Sequence, residues 1–307
     1  MQKLNARSLK RLTKEQVGIL KQYLKEKSEI PIRVVYTQKY WDKIAKDSTY
    51  SLASRELTAL KKSINYVSKV LGKRKVNVIQ LGVGNGVEIP FLVKAIKNID
   101  TYSIVDVNKT MLDISGAKVK KQFPKLKLKK FQTDIETYGI EDICKKTKRG
   151  GADINVVVLI ANGVLFSNDD LVRDTSKNLN KEDFFVLTLE LYKDGKDSEI
   201  IQPYLIPSVL DLLSNGIKIL GYKIKYEYFD AEIDKKQNRL KVYFSPDGDR
   251  SKKLLVLHSY KPNVKQLTQR MYKFGFKTLL IKEYKNIHTC FAVYKKRKNF
   301  LSKIKMK

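Results

Sequence analysis

Apolar residues recur along this chain with two different periods, and the change between them divides it. Over residues 1–70 the period is helical. Thr13-Lys14-Glu15-Gln16 has the form of a helix cap ahead of an apolar-periodic run that ends near Tyr23. Pro31 breaks the pattern. A second helical stretch is predicted from about Tyr40 to Leu71, with Leu57, Leu60, Ile64, Val67 and Leu71 on one face. From Val76 onward, short apolar runs alternate with helical segments. VNVIQL (76–81) reads as a first strand, followed by glycines and a helix, VEIPFLVKAI. TYSIVDV (101–107) is a second strand and NKTMLDISGAKVKKQF its helix. LKLKKFQTD (126–134) is a third, and DINVVVLIAN (153–162) a fourth, apolar enough to be buried on both faces. A helix beginning near Asn168 leads to the fifth, FFVLTLEL (184–191). Strands alternating with helices predict an α/β fold with a parallel sheet and right-handed crossovers.

The alternation stops after Lys193. KIKYEYFDAEIDKKQNRLKVYFSP (223–246) reads as a hairpin with alternating faces, and KKLLVLHSY (252–260) as another strand. NVKQLTQRMYKFGF is a helix ending at Gly275, and FKTLLIKEY with HTCFAVYKK forms a last hairpin. The basic tail, 297–307, reads as solvated.

Composition narrows the class. Of 307 residues, 42% are hydrophobic and 10% aromatic, which excludes a wholly disordered chain and allows a sizeable core. Two cysteines, Cys144 and Cys290, exclude a disulfide framework and have no CxxC spacing. With only two histidines, His258 and His288, no multi-histidine metal site is expected. The start, MQKLNARSLKRL, lacks the apolar run of a signal peptide, and no stretch is apolar for long enough to span a membrane. A cytoplasmic setting is the expectation. The net charge of +30, from 62 Lys+Arg against 32 Asp+Glu, can attract RNA or another polyanion. Lys far outnumbers Arg, however, and base and phosphate readout favours Arg forks, so a Lys-rich composition explains the charge as well.

The chemistry concentrates at Gln80-Leu81-Gly82-Val83-Gly84-Asn85-Gly86, where the first strand turns into the first helix. Glycines there permit unusual dihedrals and close approach of a ligand to the backbone, as in a nucleotide site; a tight structural turn has the same composition. Asp106 ends the second strand, 20 residues beyond Gly86. A carboxylate at that place can accept from both ribose hydroxyls, or cap the helix that starts at Asn108. Asp134 ends the third strand, where it can accept from an adenine amino group with Ile135 against the ring, or serve as a loop cap. The usual dinucleotide pattern, GxGxxG, has two residues between its last glycines; here there is one.

The GxGxG spacing, Asp106 and the terminal hairpin after Gly275 together resemble a class I S-adenosylmethionine-dependent methyltransferase. A closer resemblance, to the histidine-specific methyltransferase family, runs over most of residues 36–295. It is carried by Tyr40-Trp41-Asp42-Lys43-Ile44-Ala45, Tyr50, Arg55-Glu56, the segment from Tyr102 through Asp106 to Ser115, Leu189-Glu190-Leu191-Tyr192-Lys193-Asp194, Arg239 to Phe244, and Ser259-Tyr260-Lys261. The resemblance implies a Rossmann-like domain of 71–195 with 262–296, whose sheet is closed by an antiparallel hairpin. It implies a smaller lobe of 1–70 with 196–261, made from the N-terminal helices and an inserted β-rich segment, and an active site between the two. S-adenosylmethionine is the implied cofactor, held by Gly82, Val83, Gly84, Asn85, Gly86, Asp106, Val107, Asp134, Ile135 and Asn162.

This chain departs from the family pattern at four places. An acidic residue usually stands where Gln80 is, and often a lysine, near the methionine carboxylate, where Glu88 is. The asparagines that hold the histidine amino acid have no clear match in Tyr204-Leu-Ile-Pro-Ser-Val, and the glutamate before the serine is replaced by Leu257 or His258. These departures make free histidine an unsuitable substrate. N-methylation of another small amine or amino-acid-like acceptor is the leading expectation. An RNA or protein methyltransferase, and a non-catalytic binding protein on the same scaffold, are the alternatives. Acceptor-facing candidates are Tyr36, Tyr40, Tyr50, Asn162, Glu190 and Tyr204; the tyrosines also suit half-buried packing with a wet hydroxyl.

Overall fold

The computed structural model describes residues 17–18, 20–22, 30, 38–148, 151–160 and 163–297. The cap at Thr13, the break at Pro31, the tail beyond Arg297, and both Tyr36 and Asn162 lie outside the described residues. Ten strands are present among them: β1 (Val76–Leu81), β2 (Ile99–Asp106), β3 (Leu128–Gln132), β4 (Ile154–Leu159), β5 (Phe184–Glu190), β6 (Phe229–Asp234), β7 (Arg239–Phe244), β8 (Leu254–Tyr260), β9 (Phe276–Tyr284) and β10 (Thr289–Lys296). The described residues divide into two compact units. One joins Leu52–Leu191 to the residues from Pro262 onward; the other joins the residues up to Ser51 to Tyr192–Lys261.

The first unit holds a seven-stranded sheet of order β3-β2-β1-β4-β5-β10-β9. Strands β1 to β5 are parallel, and β10 runs antiparallel between β5 and β9. This is the α/β sheet with a C-terminal antiparallel hairpin that the sequence predicts. β1, β4 and β5 are buried along their whole length, as their predominantly apolar sequences favour, and they bury Asn77, Gln80, Asn155, Thr188 and Glu190 with them. One core joins Val78, Tyr102, Val156, Val158, Val186, Phe291 and Val293 of the sheet to Ala59, Leu60 and Val67 of the helices Leu52–Ser63 and Asn65–Leu71. A separate aromatic cluster forms where Phe185, Phe276 and Tyr294 meet, with ring centroids 5.5–6.5 Å apart. Asparagine side chains start the helices. Asn108 caps Lys109–Gln122, Asn168 caps Asp169–Asn178, and Asn263 forms a capping box with Gln266 at Val264–Lys273.

The second unit holds a three-stranded antiparallel sheet, β6-β7-β8. Phe244 is its centre, with the rings of Phe229, Tyr222 and Tyr228 at 5.3, 5.9 and 6.2 Å. The helices Gln38–Lys46 and Pro207–Ile219 pack together in this unit and are joined by an ion pair between Lys43 and Asp211.

Three local expectations change. The stretch from Tyr40 to Leu71 is three helices, not one. The Asp47 carboxylate accepts from the Thr49 N–H at 3.0 Å and its hydroxyl at 2.6 Å, and this local turn outcompetes the helix. The hairpin predicted from residue 223 begins only at Phe229, because Tyr226–Tyr228 is a 3-10 turn. The insertion also carries the helix Pro207–Ile219, opened by a proline in its first turn. Among the described residues, no helix is long and apolar enough to cross a membrane.

Phe291 is fully buried between the strands and the helix layer. Phe291→Ala is expected to cost about 3–5 kcal/mol, read from the midpoint and slope of urea unfolding.

Candidate functional site

The parallel register of β1 and β2 sets Leu81 opposite Val105, so both strands end at one level. The chain leaves β1 through a turn in which Gly82, Gly84 and Gly86 have φ of 62°, 52° and 68°. These values favour glycine. Space adds a second constraint at Gly86, where a Cβ would stand 2.8 Å from Ile89 Cδ1 and 3.0 Å from Ser115 Oγ. Val83 is buried and its N–H donates to Val105 O at 3.1 Å, while Gly82, Gly84 and Asn85 are half-buried.

Asp106 closes the turn. Its Oδ2 accepts from Gly84 N–H at 3.0 Å and its Oδ1 from Asn108 N–H at 2.9 Å. Burial raises the Asp106 carboxyl above its ordinary range, against the opposing pull of these N–H groups. The helix cap itself is Asn108, whose side chain accepts from Thr110 and Met111. Val107, half-buried, follows. Thr133 N–H donates to Asp106 O at 3.1 Å, which brings the end of β3 beside the end of β2. There Asp134 is buried and caps the short helix Ile135–Tyr138: Oδ1 accepts from Glu136 N–H at 3.1 Å, Oδ2 from the Thr137 hydroxyl at 2.7 Å. Ile135 is buried beside it.

Two supports of the turn escape the sequence reading. Ser115 Oγ donates to Gly84 O at 2.7 Å, and Lys118 Nζ donates to Asn85 O at 2.9 Å. Both stand on the helix Lys109–Gln122, three residues apart and so on one face, which is the only signal the sequence holds of them.

Gln80 and Glu88, the two departures beside the glycines, meet. The Tyr102 hydroxyl donates to Gln80 Oε1 at 2.7 Å, and the Gln80 amide hydrogen-bonds the Glu88 carboxyl. Burial lifts that carboxyl to about 7, aided by the nearby Glu56 carboxylate and opposed by Gln80 and Lys118. Glu56 in turn accepts from the Thr188 hydroxyl at 2.6 Å. Next to it on the helix, Arg55 pairs with Glu190 at 2.8 Å, and Glu190 is fully buried.

The remaining candidates lie in the second unit. Tyr40 and Tyr50 are half-buried; Tyr204 is buried, and its hydroxyl accepts from Nζ of the buried Lys261 at 2.7 Å. His258 is half-buried on β8, and His288 sits at φ 48° where its carbonyl accepts from Leu191 N–H. Cys144 and Cys290 are buried, and burial pushes the Cys290 thiol far up.

Residues 15–294 match the sequence model of a family described as "Histidine-specific methyltransferase, SAM-dependent". The chain belongs to that family. This methyltransferase uses S-adenosylmethionine, as its family does. Comparison with curated proteins finds no match. Among solved structures it is similar to the PH0226 protein of Pyrococcus horikoshii OT3, at 14% identity and TM-score 0.46, over 78% of this chain and 90% of that one. It is also similar to an S-adenosylmethionine-dependent methyltransferase from Clostridium acetobutylicum, at 14% identity and TM-score 0.45, over 83% and 94%. A third is magnesium protoporphyrin IX methyltransferase from Synechocystis PCC 6803 with bound SAH, at 10% identity and TM-score 0.45, over 92% and 99%. Family membership rests on the sequence match.

In this methyltransferase Glu88 binds its proton more tightly folded than unfolded, since folding raises it from 4.5 to about 7. Its contribution to stability is therefore full below about 4.5 and is lost as pH rises through about 7. Glu88→Gln is expected to gain on the wild type between about pH 5 and about pH 8, by up to about 3 kcal/mol. Urea unfolding of both proteins at the two pH values measures this, and a pH-independent difference would show that Glu88 titrates at its ordinary value.

Proposed function

We propose that this enzyme methylates the nitrogen of a small amine or amino-acid-like acceptor other than free histidine. S-adenosylmethionine, when bound, supplies an electrophilic methyl carried on a sulfonium sulfur. The chain's part is then to hold the cofactor, align an acceptor lone pair and keep the acceptor amine neutral.

The observation that carries the cofactor half is the Asp106 carboxylate, buried and locked against Gly84 N–H at the mouth of the glycine turn. Two N–H donors fix its direction, and a carboxylate keeps further lone pairs for a ribose diol. The positive-φ backbone from Gly82 to Gly86, with Val83 and Asn85, leaves no Cβ at the three glycines to obstruct a ligand. Val107 follows the ribose-binding carboxylate, and Asp134 with Ile135 supplies an acceptor and an apolar wall for an adenine. Asn162 completes this set.

For the acceptor, Tyr40, Tyr50, Asn162, Glu190 and Tyr204 are the proposed facing residues. Tyr204 has the strongest support. Its oxygen accepts from the Lys261 ammonium, which polarises the phenol as a donor toward an anionic oxygen such as an amino-acid carboxylate. With the family's glutamate replaced by Leu257 or His258, no carboxylate stands there to accept from an imidazole N–H. Glu190, held by its ion pair with Arg55, offers the acceptor side a carboxyl group of fixed direction. The net charge of +30 favours one other reading, a polyanionic acceptor such as RNA.

Calorimetry with S-adenosylmethionine and S-adenosylhomocysteine tests the first half. Micromolar binding by the wild type, weakened more than about tenfold by Asp106→Ala, is expected. Lack of binding by folded wild-type protein would sink the reading. A transfer assay over amines, peptides and RNAs at several salt concentrations then separates the acceptors. Turnover of an amine with little salt dependence supports the proposal; turnover of RNA alone with a steep salt slope overturns it.

A further inference from the structure

Glu88 directly follows the glycine turn and is only 9% exposed. One side of its carboxyl meets the amide of Gln80. That amide is oriented by Tyr102, whose O–H occupies the carbonyl oxygen and so leaves the NH2 to donate. One carboxyl oxygen, Oε2, is buried and has no hydrogen-bond partner among the described residues. A buried acceptor left without a donor is rare in folded proteins and is kept where something else supplies the donor.

The groups facing Glu88 decide what that donor is. From the helix Leu52–Ser63 comes the Glu56 carboxylate, from β2 the Tyr102 phenol, from β1 the neutral Gln80, and from the helix Lys109–Gln122 the ammonium of Lys118. Lys118 already donates to Asn85 O, and its effect on Glu88 is the smallest of those acting there. Two acids therefore face each other with one weakly coupled cation. A ligand carboxylate would be repelled at this spot; a ligand ammonium supplies both the missing donor and the missing positive charge. No metal-binding group of three or more His, Cys, Asp or Glu exists among the described residues.

We propose that Glu88 receives the α-ammonium group of the cofactor's amino-acid arm, and that this group enters in exchange for the proton that Glu88 holds in the free protein. The inference rests on the glycine turn being the S-adenosylmethionine site. The exchange balances. The carboxylic O–H proton leaves to solvent, and an ammonium N–H then donates to the carboxylate. The pKa of about 7 makes this exchange visible near neutrality.

The experiment is calorimetry of S-adenosylhomocysteine at about pH 6.5, in two buffers of different ionisation enthalpy, which counts protons released on binding. Three ligands are compared: S-adenosylhomocysteine, its analogue lacking the α-amino group, and 5′-methylthioadenosine, which lacks the whole amino-acid arm. Wild type is expected to release about 0.7 proton with the first ligand and close to none with the other two. Glu88→Gln is expected to abolish the release and weaken S-adenosylhomocysteine about tenfold at about pH 8. Its affinity for 5′-methylthioadenosine should change less than about twofold, which also verifies that the variant is folded. Equal proton release by both proteins, or an unchanged ratio of the two affinities, overturns the role of Glu88 and leaves the cofactor site standing. Failure of the wild type to bind any of the three ligands overturns the cofactor site itself, and this inference with it.

Discussion

The pairing of β1 with β2 is the constraint on which the site depends. Leu81 stands opposite Val105, so the glycine turn and Asp106 emerge at one level. The hydrogen bond from Gly84 N–H to Asp106 then joins them. A slip of one residue would carry Asp106 to the opposite face of the sheet and leave Gly84 N–H unpaired. The same register carries the link from Thr133 to Asp106 O, which places the end of β3 alongside. Ser115 and Lys118 hold two turn carbonyls from the neighbouring helix, so both the N–H and the C=O groups of the turn have fixed directions.

Polar groups line the same face of this sheet, beneath the helix Leu52–Ser63. Arg55 reaches Glu190, Glu56 reaches Thr188, and Tyr102 holds Gln80 against Glu88. Apolar residues of equal volume would stabilise the fold at least as well at these positions. The row lies toward the carboxyl ends of β1 and β5, where an open parallel sheet receives ligands. Polar residues nearer the opposite ends serve the framework: Asn77 donates to Thr147 O, and Asp183 accepts from the N–H groups of Asn155 and Asn180.

The sign of the buried charges qualifies the meaning of the net charge. Among the described residues the buried ionisable acids are Glu56, Glu88, Asp106, Asp134, Asp183 and Glu190, whereas Lys261 is the one buried lysine. Removing those acids from the surface makes the solvent-facing charge more positive still. A small part of it sits at the sheet edge: Lys127, Lys129 and Lys130 lie on or beside β3, where lysines discourage pairing with another chain. Edge protection is thus one physical source of the excess, independent of any polyanionic partner.

The order of strands and helices and the glycine turn were legible in the sequence, because each depends on local periodicity or on residues within a few positions of one another. The same holds for Asp106, whose place at the end of an apolar run is a short-range feature. The break at Asp47 and the helix Pro207–Ile219 were missed, although both carry local signals, a side chain that bonds its own turn and a proline in a first helical turn. Only the tertiary structure decided what Gln80 and Glu88 do. Read along the chain they are two isolated departures, eight residues apart, from a family pattern. The charge state of Glu88 depends on Gln80, Glu56 and Lys118, which three other elements bring to one buried point, and burial at that point turns a glutamate into a group that exchanges its proton near neutral pH.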